Sequence, residues 1–309
     1  MKYAGPKAFR AALEQRLRTD ASAGDGPPDA ALVSRLRKRV TFERFLARLF
    51  FVAPGEWVLK GGFALELRLA EVARTTKDID VDWTSTNRDV VDFLLDAADA
   101  DLGDHFVFEV ERVEPPAGWE SEGQRWWVMA RVDGREFETV LLDIGLDPAS
   151  ALAPVELCLP AMLSFADLPT VKIPALPIER HLAEKVHAYT RRYGPDADTP
   201  SSRVKDLIDI ALIAASLSVD GEQLRLALDS IFEARARQSL PAHLPVPPRD
   251  WGRPWRNQTV ASIAGDDPDA GHAIAARLID PALADRSFAG SWSPDQMLWT
   301  ANPMQGNCS

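Results

Sequence analysis

The sequence predicts an α+β fold, a mixed-sheet core carrying an N-terminal helix and followed by a helical C-terminal domain, and three observations lead there. A strand-turn-helix-strand passage runs from Trp57 to Trp83. Asp133-Gly134, set between two apolar-rich runs, is the strongest short-range hairpin signal. From residue 178 onward, apolar residues recur at helical spacing. Strands first and helices after, without strict alternation, is the α+β order.

Taken in order, residues 29 to 51 read as one helix, with Asp29 as N-cap and Leu32, Leu36, Val40, Phe45, Leu46 and Leu49 at helical spacing. Ser22 to Pro28 before it is a Gly/Pro loop. Trp57 to Lys60 reads as a strand, Gly61-Gly62 as a tight turn, Phe63 to Val72 as a helix and Asp78 to Trp83 as a strand. Trp126 to Val132 and Glu136 to Ile144 form the expected antiparallel pair. The later helices are Ile178 to Arg192, Val204 to Leu217, Gly221 to Arg237 and Ala270 to Ile279. Pro241 to Pro254 reads as a loop, and the polar tail from Gly290 to Ser309 as irregular. The expected division is an α/β domain over 1–170 and a mainly helical one over 171–309.

Composition narrows the class. Hydrophobic residues make up 46% and charged residues 26% of 309, the usage of a packed globular chain. The charged opening MKYAGPKAFRAALEQRLRTD offers no signal-peptide core, and no apolar run reaches the roughly 20 residues of a membrane span. Cys158 and Cys308 stand in no metal-like or redox-like spacing and suit free thiols in a reducing, cytoplasmic compartment. A net charge of −11 argues against nucleic-acid binding through overall charge, so any such contact is local. Arg35, Arg37, Lys38, Arg39, Arg44 and Arg48 on the first helix are one candidate, and they suit a solvated helix face as well.

The chemistry concentrates in one segment. Asp78, Asp80 and Asp82 alternate with Ile79, Val81 and Trp83, so all three carboxylates share one strand face and repel one another unless water or a cation compensates. Neighbouring carboxylates on that face lie roughly 7 Å apart. They can hold a hard cation such as Mg²⁺, which binds through one or two carboxylates plus substrate phosphates. An exposed acidic strand would look the same. Upstream, Lys60-Gly61-Gly62 sits at a strand-to-helix junction, where glycine lets the backbone approach a ligand and free N–H groups meet phosphate. No Walker P-loop, dinucleotide fingerprint, nucleophile elbow or zinc spacing occurs.

KGGFALELR at 60–68, followed by TTKDID at 75–80, resembles the first motif of the DNA polymerase β-type nucleotidyltransferase superfamily in its AbiEii/MenT branch. DIGLD at 143–147 resembles that branch's acidic strand motif, AEKVHA at 183–188 its lysine helix and RVKDLID at 203–209 its final helix motif. The resemblance runs from about residue 57 to 237.

It implies Asp78 and Asp80 as a metal pair with Asp143 as third carboxylate, and Mg²⁺ or Mn²⁺ as the cofactor. Gly61 and Gly62, and on a weaker match Lys60, Thr76 and Lys77, would surround the NTP phosphates. Lys185 would meet the phosphates as a compact point charge, and Asp206 would orient Lys185 or the acceptor. Arg68 would hold phosphate or RNA, and Arg191, Arg192, Arg235 and Arg237 are candidates for tRNA backbone contacts. Simpler roles remain open: Asp143 as the end of a strand, Lys185 as a surface lysine paired with Glu184 or a neighbour, and Asp206 as a helix-surface ion pair with Arg203. His187, Trp251 and Trp255 read as packed residues. The activity implied is that of a toxin adding nucleotide to the 3′ acceptor end of tRNA and blocking translation, with a cognate antitoxin as partner. A small-molecule or protein acceptor is the alternative, and a non-catalytic binding module a third reading. A phosphate on Thr75 or Thr76, beside the acidic strand, would compete with the nucleotide.

Overall fold

A computed structural model describes residues 1–22, 26–73, 76–114, 123–146, 152–192, 201–235, 238–256 and 267–301. Thr75, Asp147, Arg237 and Cys308 of the sequence reading lie outside the described residues. The chain divides into two compact units, one of Met1–Arg68, Thr75–Ala149 and Pro154–Ala175, the other of Leu69–Arg74, Ser150–Ala153 and Leu176–Ser309. Among the described residues no helix is long and apolar enough to cross a membrane.

The first unit opens with α1 (Pro6–Asp20) and α2 (Ala30–Val52), then β1 (Trp57–Lys60), α3 (Gly61–Leu69), β2 (Asp78–Trp83), α4 (Val90–Asp99), β3 (Phe106–Val113), β4 (Gln124–Val132), β5 (Arg135–Gly145), β6 (Val155–Cys158) and β7 (Lys172–Ala175). Its sheet has seven strands in the order β3-β4-β5-β2-β1-β7-β6. β3, β4 and β5 form an antiparallel meander, β2 runs parallel to β5 and antiparallel to β1, and β1 runs parallel to β7. The sheet is therefore mixed, as the element order implied.

One face of this sheet is the core. Ile79, Val81, Trp126, Val128, Val140, Leu142 and Ile144 are buried in one cluster with Phe9 and Leu13 of α1 and Phe42, Phe45 and Leu49 of α2. The expected N-cap is present, with Asp29 Oδ1 accepting from the Ala31 N–H at 2.8 Å. The Asp133-Gly134 turn forms with both residues at positive φ, 55° and 67°, as a two-residue hairpin requires. Arg10 of α1 ties down that turn by donating to the backbone carbonyls of Val132 and Arg135, both at 2.9 Å, and of Glu136 at 3.0 Å.

A register shift between Ala130 and Arg131 interrupts the β4–β5 ladder. It has a consequence for the open face. Phe137 and Val140 both point into the core although they stand three positions apart, an odd offset that a regular period of two forbids. The extra residue resets the phase, so Leu142 and Ile144 turn inward and Asp143 turns outward.

The basic residues of α2 are engaged in ion pairs instead of forming a freely solvated face. Arg44 and Arg48 are buried and fork onto Asp104, which is fully buried, with Arg48 Nη2 to Asp104 Oδ1 at 2.7 Å and Arg44 Nε to Oδ2 at 2.7 Å. Arg35 and Arg39 reach Glu66 of α3, Arg37 reaches Glu14 of α1, and Lys38 reaches Glu138 of β5. These charges tie α2 to its neighbours, and every residue from Val40 to Leu49 is buried.

Helix α3 begins at Gly61 itself and ends at Leu69, with a 3₁₀ turn over Ala70–Val72. The glycine pair thus opens the helix instead of forming a separate turn ahead of it. The structure also adds α1, α4, β3, β6 and β7, to which the sequence reading assigned no element.

The second unit is built of α5 (Ile178–Thr190), α6 (Val204–Ser216), β8 (Val219–Asp220), α7 (Gly221–Arg235), the short α8 (Gly252–Arg256), α9 (Pro268–Ala284), β9 (Ser291–Ser293) and β10 (Leu298–Thr300). The tail expected to be irregular instead supplies two strands of a three-stranded sheet ordered β10-β9-β8. Trp292 on β9 is buried, and its indole N–H donates to the Ala214 carbonyl at 2.7 Å, locking that sheet to α6. Trp251 and Trp255 are core residues. His187 is buried edge-on to Phe232.

Candidate active site

The acidic residues lie on the sheet face opposite the core. Across the parallel β2–β5 ladder Asp80 is the register partner of Asp143, and across the antiparallel β5–β4 ladder Asp143 is the partner of Arg125. One row across three strands therefore reads Asp80, Asp143, Arg125. The next row reads Asp78, Leu141, Trp127. Trp127 is 41% exposed, so this face is open to solvent beside the carboxylates.

The β2 carboxylates divide by environment. Asp82 is buried and is met by the ammonium of Lys60, which reaches diagonally across the β1–β2 ladder. The cation that this acidic row needs is here supplied by the chain. Gly145 makes room for the pair: a Cβ there would stand 2.4 Å from Asp82 Oδ1 and 2.7 Å from Lys60 Nζ. Lys60, expected at the phosphates, thus meets Asp82. Asp78 accepts from the Thr76 hydroxyl at 3.0 Å, and Thr76 is buried. Asp78 and Asp80 are both partly accessible, and Lys77 is exposed.

Gly61 lies against Asp80. Its φ is +65°, and a Cβ on it would fall 2.0 Å from Asp80 Oδ2. Only glycine adopts that backbone without strain and leaves that space. The first turn of α3, with its unsatisfied N–H groups, therefore starts beside a carboxylate of the acidic pair. Arg68, at the far end of α3, is partly buried and donates to the Ala64 carbonyl at 3.4 Å.

Asp143 is forked by Arg125, with Nε to Oδ1 at 2.6 Å and Nη2 to Oδ2 at 2.7 Å. The bond to Asp143 is the largest influence on Arg125 and raises its pKa above the ordinary guanidinium value. Burial opposes this, while the charges of Asp143, Asp78 and Asp80 add to it. Arg125 is a site residue that the sequence reading missed. Counting back from the Asp133-Gly134 turn pairs Arg125 with Leu142, and only the register shift at Ala130 brings it opposite Asp143. Among the described residues, no three His, Cys, Asp or Glu side chains come together as a ready metal cage. The Asp78–Asp80 pair, with the space that glycine keeps open beside Asp80, does suit a cation whose remaining ligands come from a bound triphosphate.

In the second unit, Lys185 on α5 reaches Asp206 Oδ1 at 3.0 Å and Asp209 Oδ2 at 2.8 Å on α6. Asp206 also accepts from Arg203 Nε at 2.6 Å through its other oxygen. Both carboxylates are buried, and Lys185 is 12% exposed. Lys185 is therefore held by α6, not by its chain neighbour Glu184. Asp209, one helical turn from Asp206, is the second partner that the sequence reading gave no role.

The family described as Nucleotidyl transferase AbiEii toxin, Type IV TA system, matches residues 44–284. The chain belongs to the AbiEii nucleotidyltransferase toxin family. Among solved structures, the chain is similar to MenT4, a nucleotidyltransferase toxin from Mycobacterium tuberculosis, with a TM-score of 0.53 and 18% identity over 89% of each chain. JHP933 from Helicobacter pylori matches at a TM-score of 0.47 and 15% identity, over 81% of this chain and 93% of that one. No curated protein matches. The mixed α+β fold is thus that of a nucleotidyltransferase toxin, and the AbiEii match spans β1 through α9, including Asp78, Asp80, Asp82, Asp143, Asp206 and Asp209.

Proposed function

We propose that this AbiEii-family chain transfers a nucleoside monophosphate from an NTP to the 3′ acceptor end of tRNA in the cytoplasm, blocking translation until a cognate antitoxin restrains it. The observation that carries the chemistry is the Asp78–Asp80 pair on the open sheet face, with glycine-led α3 starting against Asp80. In this reading Asp78 and Asp80 hold Mg²⁺ or Mn²⁺. A bound divalent ion there supplies charge neutralisation of the triphosphate and a lowered pKa for an attacking hydroxyl. The α3 N–H groups receive phosphate oxygens, Lys60 neutralises Asp82 beneath them, and Thr76 orients Asp78. Lys185 brings the family's phosphate-binding charge, and Asp206 and Asp209 fix its rotamer.

The test is incubation of the purified chain with each labelled NTP, Mg²⁺ and total tRNA, alongside Asp80→Ala, on a denaturing gel. Label on tRNA from wild type, reduced by about 10²-fold or more in the variant, is the expected outcome. Unlabelled tRNA sinks the tRNA reading.

A second reading, a small-molecule or protein acceptor, is favoured by one observation. The net charge is −11, and the basic residues of α2 are engaged in internal pairs. Label appearing on an aminoglycoside or on protein, with none on tRNA, is the outcome that selects it.

A further inference from the structure

We infer that Arg125 takes the place of a second cation in the acidic site, so that the site binds a single divalent ion, on Asp78 and Asp80, and Asp143 serves as the anchor of Arg125 instead of a metal ligand. The inference rests on the nucleotidyltransferase reading above and narrows it.

The argument is one of occupancy and charge. Both Asp143 oxygens are taken by the guanidinium in a two-point fork, at 2.6 and 2.7 Å, the geometry in which arginine binds a carboxylate most specifically. The pair is mostly shielded, with the Arg125 side chain 19% and that of Asp143 13% exposed, so water competes little for either partner. Arg125 sits in the same register row as Asp80, and the charges of Asp78 and Asp80 act on it together with that of Asp143. A second divalent ion on Asp143 would have to stand against a guanidinium already bonded to that carboxylate, and like charges at such range repel strongly in a shielded site. Before nucleotide binds, one guanidinium and one divalent ion together balance the carboxylates of Asp78, Asp80 and Asp143.

Arg125 is in this sense a positioning residue. It fixes the charge at the Asp143 end of the acidic row without itself binding metal. Its neighbours are set for that purpose: the β4–β5 register shift, which turns Asp143 outward, is the same feature that brings Arg125 opposite it.

The experiment counts Mn²⁺ bound per chain by electron paramagnetic resonance of the free ion, in the presence of a non-hydrolysable NTP analogue. It uses the full-length wild type, Arg125→Gln, Arg125→Lys and Asp143→Asn, each checked for an unchanged melting profile. One ion is expected for wild type, for Arg125→Lys, which keeps the positive charge, and for Asp143→Asn. Two ions are expected for Arg125→Gln. Two ions in wild type, loss of the ion in Asp143→Asn, or a single ion in Arg125→Gln would each overturn the inference while leaving nucleotidyl transfer intact. No NTP-dependent Mn²⁺ uptake by any of the four would overturn the metal-site reading and this inference together.

Discussion

Gly61 shows how much of the site depends on an atom that is missing. An alanine there would place its Cβ 2.0 Å from Asp80 Oδ2 and would hold an L-residue at φ +65°. The backbone cost is about 1–2 kcal/mol, a loss that the fold can absorb, whereas Asp80 must turn away from its place. Gly61→Ala is therefore expected to melt within a few degrees of wild type while losing most of its nucleotidyl transfer. Equal loss of folding and activity would show instead that the glycine is structural. Gly61 stood out as a candidate in the sequence, because a Gly-Gly turn feeding a helix and then an Asp-x-Asp strand is a combination that few unrelated proteins share. Lys60 was legible only as a basic residue near phosphate; that its ammonium serves Asp82 follows from a diagonal cross-strand contact which no linear spacing displays.

Among elements, α2 was correctly bounded by its cap and period, yet its charges were misread. A helix with basic residues at so many turns looks solvent-facing in sequence. The partners that bury it, Asp104, Glu66, Glu14 and Glu138, are scattered across four other segments. Burial alone would raise the pKa of Asp104, but the bonds from Arg48 and then Arg44 more than offset it and hold the carboxylate ionised. Removing one member of such a network leaves buried charge uncompensated, so Asp104→Ala is expected to cost about 3–5 kcal/mol in urea denaturation. A change below about 1 kcal/mol would mean that water replaces the carboxylate. The β4–β5 hairpin teaches a similar lesson: its turn announced itself, but its shifted register, which decides that Asp143 faces outward opposite Arg125, did not. Helix α1 and strand β3 were within reach of pattern reading, since Phe9, Leu13 and Leu17 repeat every fourth residue and Phe106, Phe108 and Val110 alternate.

For the whole molecule, stability across pH carries the imprint of one buried acid. Burial raises the pKa of Glu43 from 4.5 to about 7, outweighing the nearby Arg44 charge and the bond accepted from the Met162 N–H, while Asp104 adds to the rise. An acid whose pKa is raised by folding keeps its proton longer in the native state, so stability falls as pH climbs from about 4.5 to about 7 and is level above that. The interval corresponds to a penalty of about 3 kcal/mol at pH 8. Glu43→Gln is expected to melt higher than wild type at pH 8, with the difference fading as the pH approaches 5. A difference that is constant over this range would assign the effect to packing.

The strand order sets a further condition on when such a protein can act. Asp78 and Asp80 are made early in synthesis, but β2 lacks its neighbour β5 until residue 145 has left the ribosome, and β1 lacks β7 until residue 175 has. The alignment of Asp80 with Asp143 is a long-range contact in sequence, paid for late in folding. The nascent chain therefore emerges with its acidic row incomplete, and Asp80 has no Asp143 beside it in the interval between the making of β2 and the making of β5.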